Sequence, residues 1–204
     1  MISTSWPFPV AIVMIPEGPA GARQIIAPET VSAALDRQAQ RLVQRLEAKQ
    51  SEAPAGIPPL VLVVMNGGMF PAVELTRRMA IDLHFDYVHA TRYQGRTRGQ
   101  ELKWIHRPVT DLRGRHVLLI DDIFDEGYTL EAIVAECHRQ SCASVLTAVL
   151  AVKDHDRGLG RDRVDDGALQ VPDEYVFGCG MDLHECWRHL PGIWVPASNL
   201  EEST

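Results

Sequence analysis

The run His116-Val117-Leu118-Leu119-Ile120-Asp121-Asp122-Ile123-Phe124-Asp125-Glu126-Gly127-Tyr128-Thr129-Leu130 gathers two adjacent carboxylates, a third shortly after, a glycine and a hydroxyl side chain. Asp121 and Asp122 suit the holding of sugar hydroxyls and a divalent cation. The backbone N–H groups from Glu126 to Thr129, where a helix opens, form a nest for a phosphate. A plainer reading competes: adjacent Asp residues after a strand can simply cap the next helix.

Such chemistry needs a strand to present the acids and a helix to supply the nest. Val117 to Ile120 is a continuous apolar run ending in the acids, and a helix from about Thr129 to Gln140 carries Leu130, Ile133, Val134 and Cys137 on one side. Leu60 to Met65 is another run of the kind buried on both faces of a parallel sheet. Asn66-Gly67-Gly68 breaks it sharply, and a helix is expected from about Pro71 to Met79. Val145 to Val152 is a third run. Upstream, Pro28 to Lys49 reads as a helix with Val31, Leu35, Leu42, Val43 and Leu46 on one face and Pro28 well placed at its start, followed by a Pro/Ala/Gly-rich break from Ser51 to Pro59. Arg92 to Glu101, polar with two glycines, reads as a mobile loop. Strand, turn and helix at this spacing predict an α/β fold, an open, mostly parallel twisted sheet with flanking helices, whose ligands bind at the carboxyl ends of strands.

At 204 residues with 46% apolar residues, the chain is sized for one domain with a full hydrophobic core. It has no apolar run near the roughly eighteen residues of a membrane span, and Met1 to Pro7 lack the marks of a signal peptide. The expectation is a cytoplasmic protein with no membrane partner. Its four cysteines form no C-x-x-C pair and are expected as free thiols, and the spacing of Cys179, His184 and Cys186 matches no common zinc site. A formal net charge of −7 argues against nucleic acid as the main partner. An anionic small substrate fits, since backbone N–H groups, local cations and a metal ion can hold it.

The acidic run closely resembles the motif that binds phosphoribosyl pyrophosphate (PRPP) in type I phosphoribosyltransferases: four apolar residues, two acids, two apolar residues, Asp, variable, Gly, variable, Thr. The Asp-Asp-x-x-Asp of isoprenoid synthases is similar but lies on a long helix, which Gly127 and the Val-Leu-Leu-Ile run oppose. A second stretch, Val171-Pro172-Asp173-Glu174-Tyr175-Val176-Phe177-Gly178-Cys179-Gly180-Met181-Asp182-Leu183 and on through Trp187-Arg188-His189-Leu190-Pro191, resembles the carboxyl-terminal hood of hypoxanthine-guanine phosphoribosyltransferases. The resemblance covers about residues 55 to 195. It implies a single phosphoribosyltransferase domain over 1–204, with a core at about 55–160 and a small hood from about 1–27 and 165–204.

The resemblance also implies a site. Asp125 would be the general acid/base at purine N7. Asp121, Asp122, Glu126, Gly127, Tyr128 and Thr129 would bind PRPP, together with Asn66 and Gly67 of the pyrophosphate loop, Arg92 and Tyr93 of the mobile loop, and Arg188. Lys153 would bond the 6-oxo group, Tyr175 would stack on the base, and Val176 would offer it backbone contacts. Asp121 and Asp122 would hold a magnesium ion (Mg2+), and Asp182 a second one near pyrophosphate. Many relatives carry Leu-Lys-Gly-Gly where this chain has Met65-Asn66-Gly67-Gly68, Ser-Tyr where it has Arg92-Tyr93, and Thr where it has Glu126. Contacts to pyrophosphate and phosphate must therefore differ in detail. A cis Met65–Asn66 peptide is expected, and a Glu126 carboxylate turned away from the phosphate, to solvent or to Arg96 or Arg98.

The implied activity is magnesium-dependent purine salvage, in which hypoxanthine or guanine displaces pyrophosphate from C1′ of PRPP to give IMP or GMP, in a homodimer or homotetramer. Two alternatives stay open: a PRPP-sensing regulatory protein that grips nucleic acid on the same fold, and a transferase for xanthine or another base. Asp125 and the hood favour catalysis over sensing. Lys153, a donor only, favours a 6-oxo over a 6-amino group.

Overall fold

The computed structural model describes residues 18–50, 56–92 and 102–198. Along the chain these form β1 (Arg23–Ile26), α1 (Pro28–Gln50), β2 (Leu60–Val64), α2 (Met69–Thr76), β3 (His84–Arg92) and β4 (Leu102–His106). There follow β5 (His116–Phe124), α3 (Tyr128–Arg139), β6 (Ser144–Lys153), β7 (Asp166–Val171) and β8 (Ile193–Val195). Six strands make one sheet in the order β4-β3-β2-β5-β6-β7, parallel throughout except for β4, which pairs antiparallel with β3. This is the α/β sheet that the alternating runs predict.

The faces of the sheet follow from the period-2 alternation of strand side chains. Val61, Leu118, Ile120, Leu146, Ala148 and Leu150 pack with α1 and α2 on one face. Leu60, Leu62, Val117 and Leu119 pack with Leu130, Ile133 and Cys137 of α3 on the other. The crossovers from β2 and from β5 thus run over opposite faces and in opposite directions along the sheet. Between those strands lies the switch point at which an open α/β sheet leaves a crevice beyond its strand ends.

Helix α1 buries Val31, Leu35, Leu42 and Leu46, and Gln38 as well. The Gln38 amide is buried because it donates to the carbonyls of Val149 and Asp166, both at 3.0 Å, while Arg41 forms a two-pronged pair with Asp166 at 2.8 and 2.6 Å. These contacts seat α1 against β7, in the main sheet.

Two element boundaries differ from expectation. Helix α2 begins at Met69, directly after Gly68, and ends at Thr76, where the Arg78 and Met79 amides tighten into i→i−3 bonds on Leu75 and Thr76. Strand β5 does not stop at the acids: Asp121, Ile123 and Phe124 still pair with Val149, Ala151 and Val152 of the long β6. A separate two-stranded sheet joins β1 to β8. Beside it, Phe177, Leu183 and Leu190 form a small core with Ala22, Trp187 and Trp194 packed around it.

Candidate functional site

At the switch point a cavity of about 250 Å³ opens at the carboxyl ends of β2 and β5. Gly67, Asp121, Asp122, Asp125, Glu126, Gly127 and Thr129 line it. One short stretch reaches across the cavity because β5 stays in register with β6 through Phe124 and then turns at Gly127 (φ 80°), a left-handed conformation that glycine adopts freely and that opens α3. Tyr128 and Thr129 begin α3, whose first-turn N–H groups have no acceptor within the helix.

Asp121 and Asp122 are only partly exposed, and neither forms an ion pair with a basic side chain among the described residues. Burial and then repulsion from Asp122 push the Asp121 carboxyl well above its ordinary value. Burial raises Asp122 as well, while hydrogen bonding with Asp121 and the charge of Arg188 offset part of the rise. Two adjacent desolvated carboxylates gain from a shared cation. No group of three or more His, Cys, Asp or Glu able to hold a metal occurs among the described residues. Two adjacent carboxylates suit an ion such as magnesium, which binds through one or two carboxylates and completes its shell with water and substrate phosphate.

The loop after β2 abuts these acids. Its Met65–Asn66 peptide is cis, as expected from the sequence. Gly67 touches Asp122 so closely that an added Cβ would lie 1.8 Å from Oδ2. The segment after β7 meets the same point: a Cβ at Gly180 would meet the Gly67 carbonyl oxygen at 2.2 Å and the Asp122 Cβ at 3.2 Å. Arg188 Nη1 donates to the Gly180 carbonyl at 2.7 Å, and its Nη2 lies 2.8 Å from Asp182 Oδ1. Arg188 and Asp182 thus enter as a pair.

Asp125 is held from the end of β6. Lys153 Nζ donates to its Oδ2 at 3.0 Å, and His155 Nε2 lies 2.6 Å from its Oδ1. Burial pushes the Asp125 carboxyl up, but the hydrogen bonds from Lys153 and His155 and the charge of Lys153 outweigh it and hold the group below the ordinary carboxylate value. Sequence reasoning found Lys153 and missed His155. The signal was present in Lys153-Asp154-His155, a histidine just past a strand end that faces the acids.

Tyr175 and Val176 lie in the loop after β7, outside any strand, with Tyr175 46% exposed and Val176 buried. Burial and then the charge of Asp182 raise the Tyr175 hydroxyl. Arg92 ends β3, and Tyr93, Arg96 and Arg98 lie outside the described residues. The backbone carbonyl of Glu126 accepts the Leu159 N–H at 2.9 Å. A second, largely apolar cavity of about 350 Å³ between α1, α2 and the hood contains none of the candidate residues.

The phosphoribosyl transferase domain family matches residues 31–185. The hypoxanthine-guanine phosphoribosyltransferase of Streptococcus pneumoniae (strain ATCC BAA-255 / R6) is 31% identical over 153 residues, covering 74% of this chain and 84% of the relative. The hypoxanthine-guanine-xanthine phosphoribosyltransferase of Tritrichomonas foetus is 27% identical over 156 residues, covering 76% and 85%. Among solved structures, the hypoxanthine phosphoribosyl transferase of Trypanosoma cruzi superposes with a TM-score of 0.82 at 20% identity, covering 91% of this chain and 97% of that one, a likeness of fold. With sheet, switch-point crevice and acidic strand end all in place beneath that match, the chain belongs to the phosphoribosyl transferase domain family.

Proposed function

We propose that this chain is a purine-salvage phosphoribosyltransferase that joins hypoxanthine or guanine to PRPP, releasing pyrophosphate and forming IMP or GMP. The observation that carries the choice of base is the pairing of Lys153 with Asp125 beside the PRPP-type crevice. A cation and a carboxylate side by side match the two neighbouring features of a 6-oxopurine, the acceptor oxygen at C6 and the titratable nitrogen N7. A 6-aminopurine offers a donor where Lys153 needs an acceptor.

In this reading the ribose hydroxyls rest on Asp121 and Asp122, and the 5′-phosphate on the N–H groups from Glu126 to Thr129 at the start of α3. The Asn66-Gly67 amides and Arg188 face the pyrophosphate, with Arg92, which ends β3 rather than sitting in the expected loop, and Tyr93, next to it in the chain, as further PRPP contacts. Tyr175 stacks on the base and the Val176 backbone meets its edge. The purine nitrogen bonds to C1′ as the C1′–O bond to pyrophosphate breaks, and Asp125 takes the N7 proton while Lys153 donates to the 6-oxo group. Asp121 and Asp122 are the residues that would hold one magnesium ion and Asp182 a second near pyrophosphate, and such ions would neutralise the charge growing on the leaving group.

The whole chain is read as one domain whose hood comes from its two ends, acting as a cytoplasmic homodimer or homotetramer on small molecules alone. No helix among the described residues is long and apolar enough to cross a membrane. The test is pyrophosphate release from PRPP and hypoxanthine with magnesium and with excess chelator. Release that needs both base and magnesium is expected. Base-independent binding of PRPP without turnover, together with salt-sensitive retention on DNA, would favour the regulatory alternative.

A further inference from the structure

His155 is absent from the motifs that carry the family resemblance, yet it makes the shortest contact to Asp125. Its Nε2 lies 2.6 Å from Asp125 Oδ1, and its side chain is only 6% exposed. The other ring nitrogen, Nδ1, accepts the backbone N–H of Arg157 at 3.1 Å. A ring nitrogen that accepts from an amide carries no proton, so the imidazole proton sits on Nε2 and is donated to Oδ1. Lys153 occupies the second oxygen, Oδ2, at 3.0 Å. The two donors differ in kind. An ammonium on a flexible stem swings away at little cost, whereas a buried ring fixed at both nitrogens does not.

We propose that His155 is a positioning residue for proton transfer: a neutral Nε2–H donor that anchors Asp125 Oδ1, leaving Oδ2 to exchange the N7 proton once Lys153 turns to the 6-oxo group. The inference rests on the reading of Asp125 as the acid/base. In the forward direction the proton leaves N7 for Oδ2, and the Nε2 proton stays on the ring. No relay to solvent runs through His155, because its Nδ1 lone pair is committed to the Arg157 amide.

The loop holding that amide is itself tethered, since Arg157 pairs two-pronged with Asp173 at 2.5 and 2.6 Å. Around Asp125 the charged and titratable groups are thus Lys153 at the end of β6 and the neutral His155 ring just after it, the Arg157–Asp173 pair across to the segment after β7, and Glu126 on its own turn. Arg157 and Asp173 offset one another, and the two direct donors hold the Asp125 carboxyl below its ordinary value against burial.

The experiment compares His155→Leu, His155→Gln and Asp125→Asn in the full chain. It also reads the imidazole nitrogens of the unmodified, ¹⁵N-labelled protein by NMR at neutral pH. The spectrum is expected to show one ring with Nε2 protonated and Nδ1 bare, missing from His155→Leu. Losing a donor to the charged form should move the acidic limb of kcat/KM for the base to higher pH in His155→Leu. Its kcat should fall by about 10–100-fold while KM for PRPP stays within about twofold, and His155→Gln, an uncharged donor, should recover most of the loss. Unchanged kcat and pH profile in His155→Leu, no recovery in His155→Gln, or a His155 ring with Nδ1 protonated would each overturn the proposal. Undiminished kcat in Asp125→Asn would overturn the underlying reading instead, and only the Asp125→Asn result separates the two failures.

Discussion

In the proposed reaction Asp125 is the acid/base, and its two oxygens are spoken for by different donors, Lys153 at 3.0 Å and His155 at 2.6 Å. Burial works against the charged form, and the two donors more than offset it. A carboxyl with a lowered folded-state value contributes stability that is present above its unfolded value and is lost as pH falls through the folded one. At neutral pH Asp125 is therefore ionised and ready to accept a proton. Asp125→Asn keeps the shape and removes the base, so kcat is expected to fall by about 10²–10⁴-fold with PRPP binding retained. Steady-state kinetics beside a PRPP titration checks this, and equal losses in both would point to a structural role. A second residue-scale prediction concerns Gly67, where an added Cβ would lie 1.8 Å from Asp122 Oδ2. Gly67→Ala must displace either the carboxylate or the loop, and about a 10²-fold loss in kcat/KM for PRPP is expected with secondary structure intact by circular dichroism.

The elements that frame the site were unequally legible in the sequence. Strands β2, β5 and β6 stood out as apolar runs because both their faces are covered, and α1 and α3 stood out by helical spacing. Strand β3 hid because its pattern is inverted: Phe85 and Tyr87 are 56% and 43% exposed, while Asp86 is buried. The reason is local. The Asp86 carboxylate accepts the amides of Tyr87, Val109 and Thr110 at 2.7, 2.9 and 2.8 Å, fastening the chain beyond β4 to β3. Strands β1 and β8, four and three residues long, are too short to show a period. Burial raises the Asp86 carboxyl, and the bonds from Thr110, Tyr87 and Val109 bring it below the usual aspartate value. Asp86→Ala strands those amides and is expected to destabilise the fold by about 1–3 kcal/mol in urea unfolding at neutral pH. By the sign of the shift, the difference from the parent chain should shrink as pH falls through the lowered Asp86 value. A constant difference across that range would mean that the carboxylate charge plays no part.

For the molecule as a whole, the acidic strand end and the hood motif announced most of the site, while His155 and the convergence of Gly67, Gly180 and Asp122 did not. The glycine convergence arises from segments far apart in the chain meeting at the switch point, which no local pattern encodes, while His155 is marked only by its place just past the end of β6. In the proposed reaction the same convergence would join its two halves, with PRPP in the crevice between β2 and β5 and the base at the Lys153–Asp125 pair. The central claim is that these halves act together on a 6-oxopurine. The most direct measurement mixes the full chain, PRPP and magnesium with hypoxanthine, guanine, xanthine, adenine and uracil in turn, following nucleotide formation by ultraviolet absorbance and pyrophosphate release in parallel. Nucleotide and pyrophosphate in equal amounts with hypoxanthine, guanine or both, and none with adenine or uracil, is the expected result. Turnover of adenine or uracil, or no turnover with either hypoxanthine or guanine, would contradict it.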